Sequence, residues 1–449
     1  MDLDPVNEVD FKQGLLGFLS RAVTPFHAVR SLASELEQAG FTNWDGQVPL
    51  APASGGAIFT RGGCIVAVKP GRRPLAEGGL RMVGAHTDSP CLMVKPNPEQ
   101  EAAGYQQLGV EVYGGALLNP WFDRDLSLAG RVSYLAADGK LATALVDFKD
   151  PIAVIPSLAI HLDREANKNR SVNAQTQMPP ILGLAGFGQS SLGQAGPESA
   201  SSDEFSLRRL LTDRLSRDSI NVEEVLDYEL CFYDTQPPRY VGLHGEFLAS
   251  ARLDNLLSCY IGCRAIAASE SDEWQLLICN DHEEVGSLSA SGAQGPLLRH
   301  LLETLVGKSS FSSVMRRSMM VSTDNAHGVH PNYREKHDAK HGPLLNGGPV
   351  IKVNANQRYA SSSDGAALFR LIAREVGVTV QSFAMRADMA CGSTIGPLTA
   401  GELGVTTLDV GVPTFAMHSI RELAGSEDSW SLYNVLRAYF ARGSLLPDS

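Results

Sequence analysis

Leu276-Leu-Ile-Cys-Asn-Asp-His-Glu-Glu-Val-Gly-Ser287 is the end of an apolar run that breaks abruptly into acid. Trp274 to Cys279 has the length and apolar continuity of a buried strand, and Val285-Gly286-Ser287 turns the chain away after Glu283 and Glu284. In an α/β sheet the chemistry gathers beyond strand ends. Two adjacent carboxylates there oppose each other's ionisation, and a divalent cation removes that cost. One Glu can then ligate metal while its neighbour, aimed differently, takes a proton from water. A lone Glu-Glu pair is more often a solvated turn or the first turn of a helix. The other strand ends decide between these readings.

Working outward, Leu80 to Ala85 reads as a strand ending in His86-Thr-Asp-Ser-Pro90. Asp88 either orients a metal-bound His86 or, with Thr87 and Ser89, caps a turn. Ser250-Ala-Arg-Leu-Asp-Asn255 places Asp254 at a helix start, as a cap or as a carboxylate that bridges two cations. A strand at Ser318–Ser322 leads into Asp324, His327 and His330. Val350 to Val353 carries Lys352 toward Tyr359, and Val405 to Val410 precedes Met417 and His418. Helical periodicity marks Phe11 to Ala39, broken at Thr24-Pro25, as well as Asp364 to Val376 and Ser429 to Ala441. The recurring strand, polar end and helix predict an α/β fold: a mixed, twisted sheet flanked by helices with its site at the strand ends.

From Pro96 to Val241 the texture changes to short alternating runs with Gly and Asp-Gly turns. The expected organisation is a discontinuous α/β catalytic domain, residues 1–95 and 242–449, interrupted by a β-rich domain, residues 96–241. Within the insertion, Leu117 to Asp125 mixes aromatics and charges as a contact surface does, His161 by itself reads as a structural histidine, and Gly183–Ser202 reads as an exposed, mobile loop.

The 449 residues, 43% of them hydrophobic, can bury a sizeable core. A net charge of -12 argues against a general nucleic-acid or anionic-membrane partner. No apolar run approaches the ~20 residues needed to span a bilayer, and the acidic start Met1-Asp-Leu-Asp-Pro has no signal-peptide core. Seven scattered cysteines fit a reduced, cytoplasmic protein. Cys259 and Cys263, at helical spacing, are read as packing residues rather than ligands. There is no Gly-x-Gly-x-x-Gly fingerprint and no Walker A, and Ser287-x-Ser-x-Ser291 lacks the first glycine of a nucleophile elbow. What remains is His86, Asp254, Glu284, Asp324 and His418 at five element ends. Two imidazoles and three carboxylates are a donor set for two borderline divalent ions with one carboxylate shared.

Gly84-Ala-His-Thr-Asp-Ser-Pro90, Ala251-Arg-Leu-Asp-Asn255, Asp281-His-Glu-Glu-Val-Gly-Ser287, Asn325-Ala-His-Gly-Val-His-Pro-Asn332 and Phe415-Ala-Met-His-Ser-Ile-Arg-Glu422 together resemble the aspartyl aminopeptidases, the M18 metallopeptidases. The resemblance runs through nearly the whole chain in order. It implies two divalent ions, Zn2+ with Co2+ or Mn2+ as alternatives. The first would sit on His86, Glu284 and Asp254, and the second on Asp324 and His418 with Asp254 shared. It implies Glu283 as general base, Asp88 behind His86, and substrate contacts from Lys352, His327, Tyr359 and Met417. His161 would be lent by a partner subunit, with the β-rich domain mediating dimers that assemble into a dodecamer. Peptides with a free N-terminal Asp or Glu would be the substrates. Thr323 and Asn325 depart from the small or apolar residues often found beside the acidic ligand, and the Gly183–Ser202 loop is longer than expected. Two rival readings are another two-metal amidohydrolase, which would not require a free amine, and an inactive metal-stabilised scaffold, which would be expected to lack a ligand or the base.

Overall fold

The computed structural model describes residues 7–186 and 205–445, and these divide into two compact units, residues 1–89 with 237–449 and residues 90–236. Most of the expected Gly183–Ser202 loop lies outside the described residues; its first two residues close the strand Ile181–Leu184 instead.

The first unit is built on a nine-stranded mixed sheet. In spatial order its strands are Thr42–Asn43, Ala57–Arg61, Cys64–Lys69, Trp274–Asn280, Leu80–His86, Met319–Thr323, Thr406–Gly411, Val350–Val353 and Gln381–Ala384. The four strands from Trp274–Asn280 to Thr406–Gly411 run parallel, in a register that sets Asn280 beside His86 and Ser322 beside Gly84. Their polar ends therefore open on one edge. Side chains alternate across the sheet as the period of two demands. Leu277 and Cys279 face one core with the helices Glu8–Arg21, Pro25–Gln38, Leu253–Ala268 and Asp428–Phe440. Leu276 and Ile278 face the other, against the helix Leu297–Val306. Burial on both faces is why these strands read as continuous apolar runs.

The break between the first two helices has a local cause. Thr24 accepts a hydrogen bond from the His27 amide, and Pro25 opens the second helix where its missing N–H costs nothing. His27 is buried and bonds the Thr24 hydroxyl, a structural role.

A second sheet in this unit escaped the sequence reading. It joins Arg239–Val241, Phe247–Ser250, Glu422–Gly425, Pro413–Phe415 and Ala326–His327 in that order. Strands of two to four residues carry too little periodicity to be seen.

The other unit is a six-stranded, wholly antiparallel sheet: Leu141–Asp147, Leu126–Ala136, Val222–Asp234, Cys91–Ala102, Tyr105–Tyr113 and Ile181–Leu184. The helix Leu207–Arg217 accompanies it, burying Leu207, Leu211 and Leu215.

Candidate active site

Each residue of the candidate constellation is placed by a different element. His86 ends the central strand Leu80–His86 and is fully buried. Asp324 follows the neighbouring strand Met319–Thr323. Asp254 does not cap the helix that follows it: it and Asn255 lie outside helical geometry, the peptide between them is cis, and the regular helix starts beyond them. Glu283 and Glu284 form a single 3-10 turn after Trp274–Asn280. His418 sits in a tight loop between Pro413–Phe415 and Glu422–Gly425, with Ala416 and His418 both at positive φ.

These side chains converge. His86 Nε2 is 3.4 Å from Asp254 Oδ1 and 3.8 Å from Asp324 Oδ1. His418 Nε2 is 3.3 Å from Glu284 Oε2 and 3.8 Å from Asp254 Oδ2. Donor atoms of His86, Asp254 and Asp324 lie within 4.8 Å of one another, as do those of Asp254, Glu284 and His418, and those of His86, Glu283 and Glu284. Asp324 shares a group with His86 and Asp254, and Glu284 shares one with His418 and Asp254 as well as one with His86 and Glu283.

Asp88 performs both tasks the sequence left open. Its backbone carbonyl lies 3.1 Å and its Oδ1 3.4 Å from His86 Nδ1. Its two carboxylate oxygens also accept the Glu283 and Glu284 amides at 3.1 and 3.0 Å, so it fixes the acidic turn. Cys259 and Cys263 are buried, and Cys259 donates to the His86 carbonyl, so neither adds to the ligand atoms.

The electrostatics fit a bound cation. Asp254 Oδ1 and Glu284 Oε1 are buried and accept no hydrogen bond, a cost that a metal ion would remove. Burial and the neighbouring carboxylates push the Glu284 carboxyl well above its ordinary range. Burial pushes Glu283 up to about 7; His86 opposes the shift, while Asp324, Asp254 and Asp88 add to it. Burial raises Asp254 as well. Asp324 goes the other way: burial would raise it, but the Lys352 ammonium, with Nζ 3.4 Å from Oδ2, and then His86 hold it below the usual carboxylate range. Imidazole and carboxylate donors of this number suit zinc.

The expected substrate contacts divide. Lys352 is buried, donates to the Asn325 carbonyl at 3.2 Å and lies 5.0 Å from the Tyr359 ring centre. His327 and Met417 line a cavity of about 280 Å³ beside the cluster. Burial and then Lys352 lower the His327 imidazole to about 4, which keeps it neutral at pH 7. His161 lies in the other unit, exposed on a turn, and joins none of the ligand groups.

Glu422 was missed as a site residue. Buried, its two oxygens accept the Asp254 amide at 2.9 Å and the His418 amide at 2.7 Å. In sequence it is half of an unremarkable Arg-Glu pair. Only the pairing of Ser250 with Glu422 puts it under the site.

The sequence model of the family described as "Aminopeptidase I zinc metalloprotease (M18)" matches residues 18–440. The chain belongs to the M18 family. A relative called "Probable M18 family aminopeptidase 2", from Ectopseudomonas mendocina (strain ymp), is 56% identical over 437 residues, covering 96% of this chain and 98% of the relative. Among solved structures, that of the Ape4 and Nbr1 complex matches with a TM-score of 0.90 at 36% identity, over 96% of this chain and 86% of that one. Chaetomium thermophilum mApe1 matches with a TM-score of 0.82 at 30% identity, over 97% and 98%. This M18 protein is accordingly a metallo-aminopeptidase, and the converging cluster is where its chemistry is expected. No helix among its described residues is long and apolar enough to cross a membrane.

Proposed function

We propose that this chain removes N-terminal Asp or Glu from peptides with a two-cation centre and Glu283 as general base. The convergence of His86, Asp254, Glu284, Asp324 and His418 around orphaned carboxylate oxygens carries the reading. His86, Asp254 and Asp324 would hold one ion; Asp254, Glu284 and His418 would hold the other. When bound, two zinc ions supply Lewis-acid polarisation of the scissile carbonyl and neutralise the charge that develops on it.

The remaining roles belong to the chain. Glu283, beside His86 and Glu284, takes a proton from the attacking water and delivers it to the leaving amine. Asp88 holds Glu283 and Glu284 through their amides and keeps His86 in one orientation. Neutral His327, with Tyr359 beside Lys352, lines the approach for the first side chain. The Lys352 ammonium has three N–H donors; Asp324 and the Asn325 carbonyl engage two, which leaves one for a substrate carboxylate.

That same engagement favours a second reading. If Lys352 serves only to hold Asp324, the enzyme is a broad-specificity aminopeptidase. Hydrolysis of free aminoacyl substrates, Asp and Glu against Leu, Ala and Lys, by wild type and Lys352→Ala separates the two. Selective collapse of the Asp and Glu rates, by ten-fold or more, is expected; an equal loss on all substrates would leave the broad reading.

We propose further that the chain acts as a homo-oligomer. The structure titled as the S. cerevisiae mApe1 dodecamer matches with a TM-score of 0.79 at 27% identity. In this chain Leu158, Ile160 and Leu162 are 60%, 47% and 75% exposed around His161, an apolar surface of the kind partners cover. His161 would reach a partner's site from there. Seven free cysteines fit a reducing, cytoplasmic setting.

A further inference from the structure

The cavity beside the metal-ligand cluster differs in chemistry from the compartment around Lys352. Phe383, Met385, Met389, Phe415 and Met417 give it mostly apolar walls. His327 stands at the boundary, its ring 5.7 Å from that of Phe383. His327 and Phe383 line the cavity, whereas Lys352, Asp324 and Tyr359 do not. Tyr359 and Phe383 are themselves in edge contact at 6.4 Å. Arg386 is committed to Asp388 at 2.9 and 2.6 Å, and the remaining charged lining residues, Lys336 and Asp338, are of opposite sign. Two of its lining residues are sequence neighbours of the ligand cluster: Met417 precedes His418, and His327 follows Asp324 by three residues.

We infer that this cavity is the subsite for the second residue of the peptide and that it selects a large apolar side chain there. The inference rests on the proposed reading of Lys352 as the partner of an acidic first side chain. Successive side chains of an extended peptide project to opposite faces, about 3.3 Å apart along the strand. A peptide whose first side chain enters the Lys352 compartment therefore offers its second on the other side of His327. Three flexible methionine side chains suit a pocket that accepts several apolar shapes. The volume of about 280 Å³ is ample for one leucine, methionine or phenylalanine side chain. Selection has a physical source here: moving such a side chain from water into the cavity favours it over glycine by about ten- to a hundred-fold in kcat/KM.

The experiment uses the zinc-loaded full chain and tetrapeptides Asp-X-Ala-Ala, with X as Leu, Met, Phe, Gly, Ser or Lys, next to a Leu-X-Ala-Ala set. Wild type should prefer Leu, Met and Phe at X over Gly by ten-fold or more. Met389 is 42% exposed at the rim, so Met389→Trp fills the cavity with little demand on the core. It should bring the Leu-to-Gly ratio at X toward one while the Asp-to-Leu ratio at the first position holds. Met389→Glu should instead raise Lys at X relative to Leu, a reversal that misfolding does not produce. Equal rates for all X in wild type overturn the inference. So does a Met389→Trp effect on the first-position ratio, which would give the cavity to the first side chain. A flat first-position ratio in wild type sinks the acidic reading on its own, because the X series still reports on the cavity.

Discussion

Glu422 coordinates nothing in the proposed centre, yet both its oxygens hold residues that would. The Asp254 and His418 amides come from segments far apart in the chain, and one buried carboxylate ties them together. The His418 backbone is at φ 67, a conformation that costs a non-glycine residue of order 1 kcal/mol or more and persists only when its surroundings enforce it. Glu422→Gln keeps the shape but turns an amide NH2 toward one of the two N–H groups, leaving a buried donor unpaired at about 1–3 kcal/mol. Zinc affinity, measured by competition with a chromophoric chelator, should fall about 10- to 100-fold. The melting temperature of the zinc-free protein should fall as well, because both hydrogen bonds exist without the metal. Unchanged affinity would mean that Glu422 merely fills space.

At the scale of elements, much of the site could be read in the sequence because the strands that carry it are buried on both faces. Trp274–Asn280, Leu80–His86 and Met319–Thr323 are mostly apolar, interrupted by Gln275 and Arg81, and each polar end stands out against its run. What failed to show was set by pairing rather than pattern. Cys91–Ala102 contains Pro96 and Pro98, which argue against a strand; the structure accommodates them at an irregularity between Val94 and Glu99. Ala326–His327 exists as a strand only because Pro413–Phe415 lies beside it. Which of Asp324 and Glu284 comes nearest which histidine is likewise a matter of folding, which spacing along the chain does not contain. The helix Asp428–Phe440 offers a pH test at this scale. Asp428 in its first turn is buried and pushed up to about 7, while the Asn346 and Gly348 amides it accepts pull the other way. An unfolded Asp titrates near 3.9. The fold therefore favours the protonated form, so this stability is fully present below about pH 4 and is lost as pH rises through about 7, by up to about 4 kcal/mol. Denaturant melts of wild type and Asp428→Asn at pH values from 4 to 8 should show their difference changing steadily across that window in the variant's favour. A difference independent of pH would show that Asp428 titrates normally.

For the whole molecule, the decisive fact is how widely the candidate ligands are spread. His86, Asp254, Glu284, Asp324 and His418 belong to five segments of the first unit, and they meet only when the nine-stranded sheet and the small second sheet are both formed. Cations bound there act as a cross-link on the native state alone, and stabilise it by mass action: about 2.7 kcal/mol at a free concentration one hundred times Kd. Without them, Asp254 and Glu284 retain orphaned oxygens facing each other's charge. Chelation should therefore abolish hydrolysis, lower the melting temperature by several degrees, and be reversed on both counts by zinc. The loss should also be local. The antiparallel sheet of residues 90–236 supplies no member of the ligand groups. Hydrogen exchange on chelation should accelerate at the ends of Leu80–His86 and Met319–Thr323 and through 416–422, while the Leu126–Ala136 strand keeps its protection. Equal acceleration in both units would mean that the metal stabilises the chain by some route other than these five side chains. No change in either would remove the cations from the fold altogether.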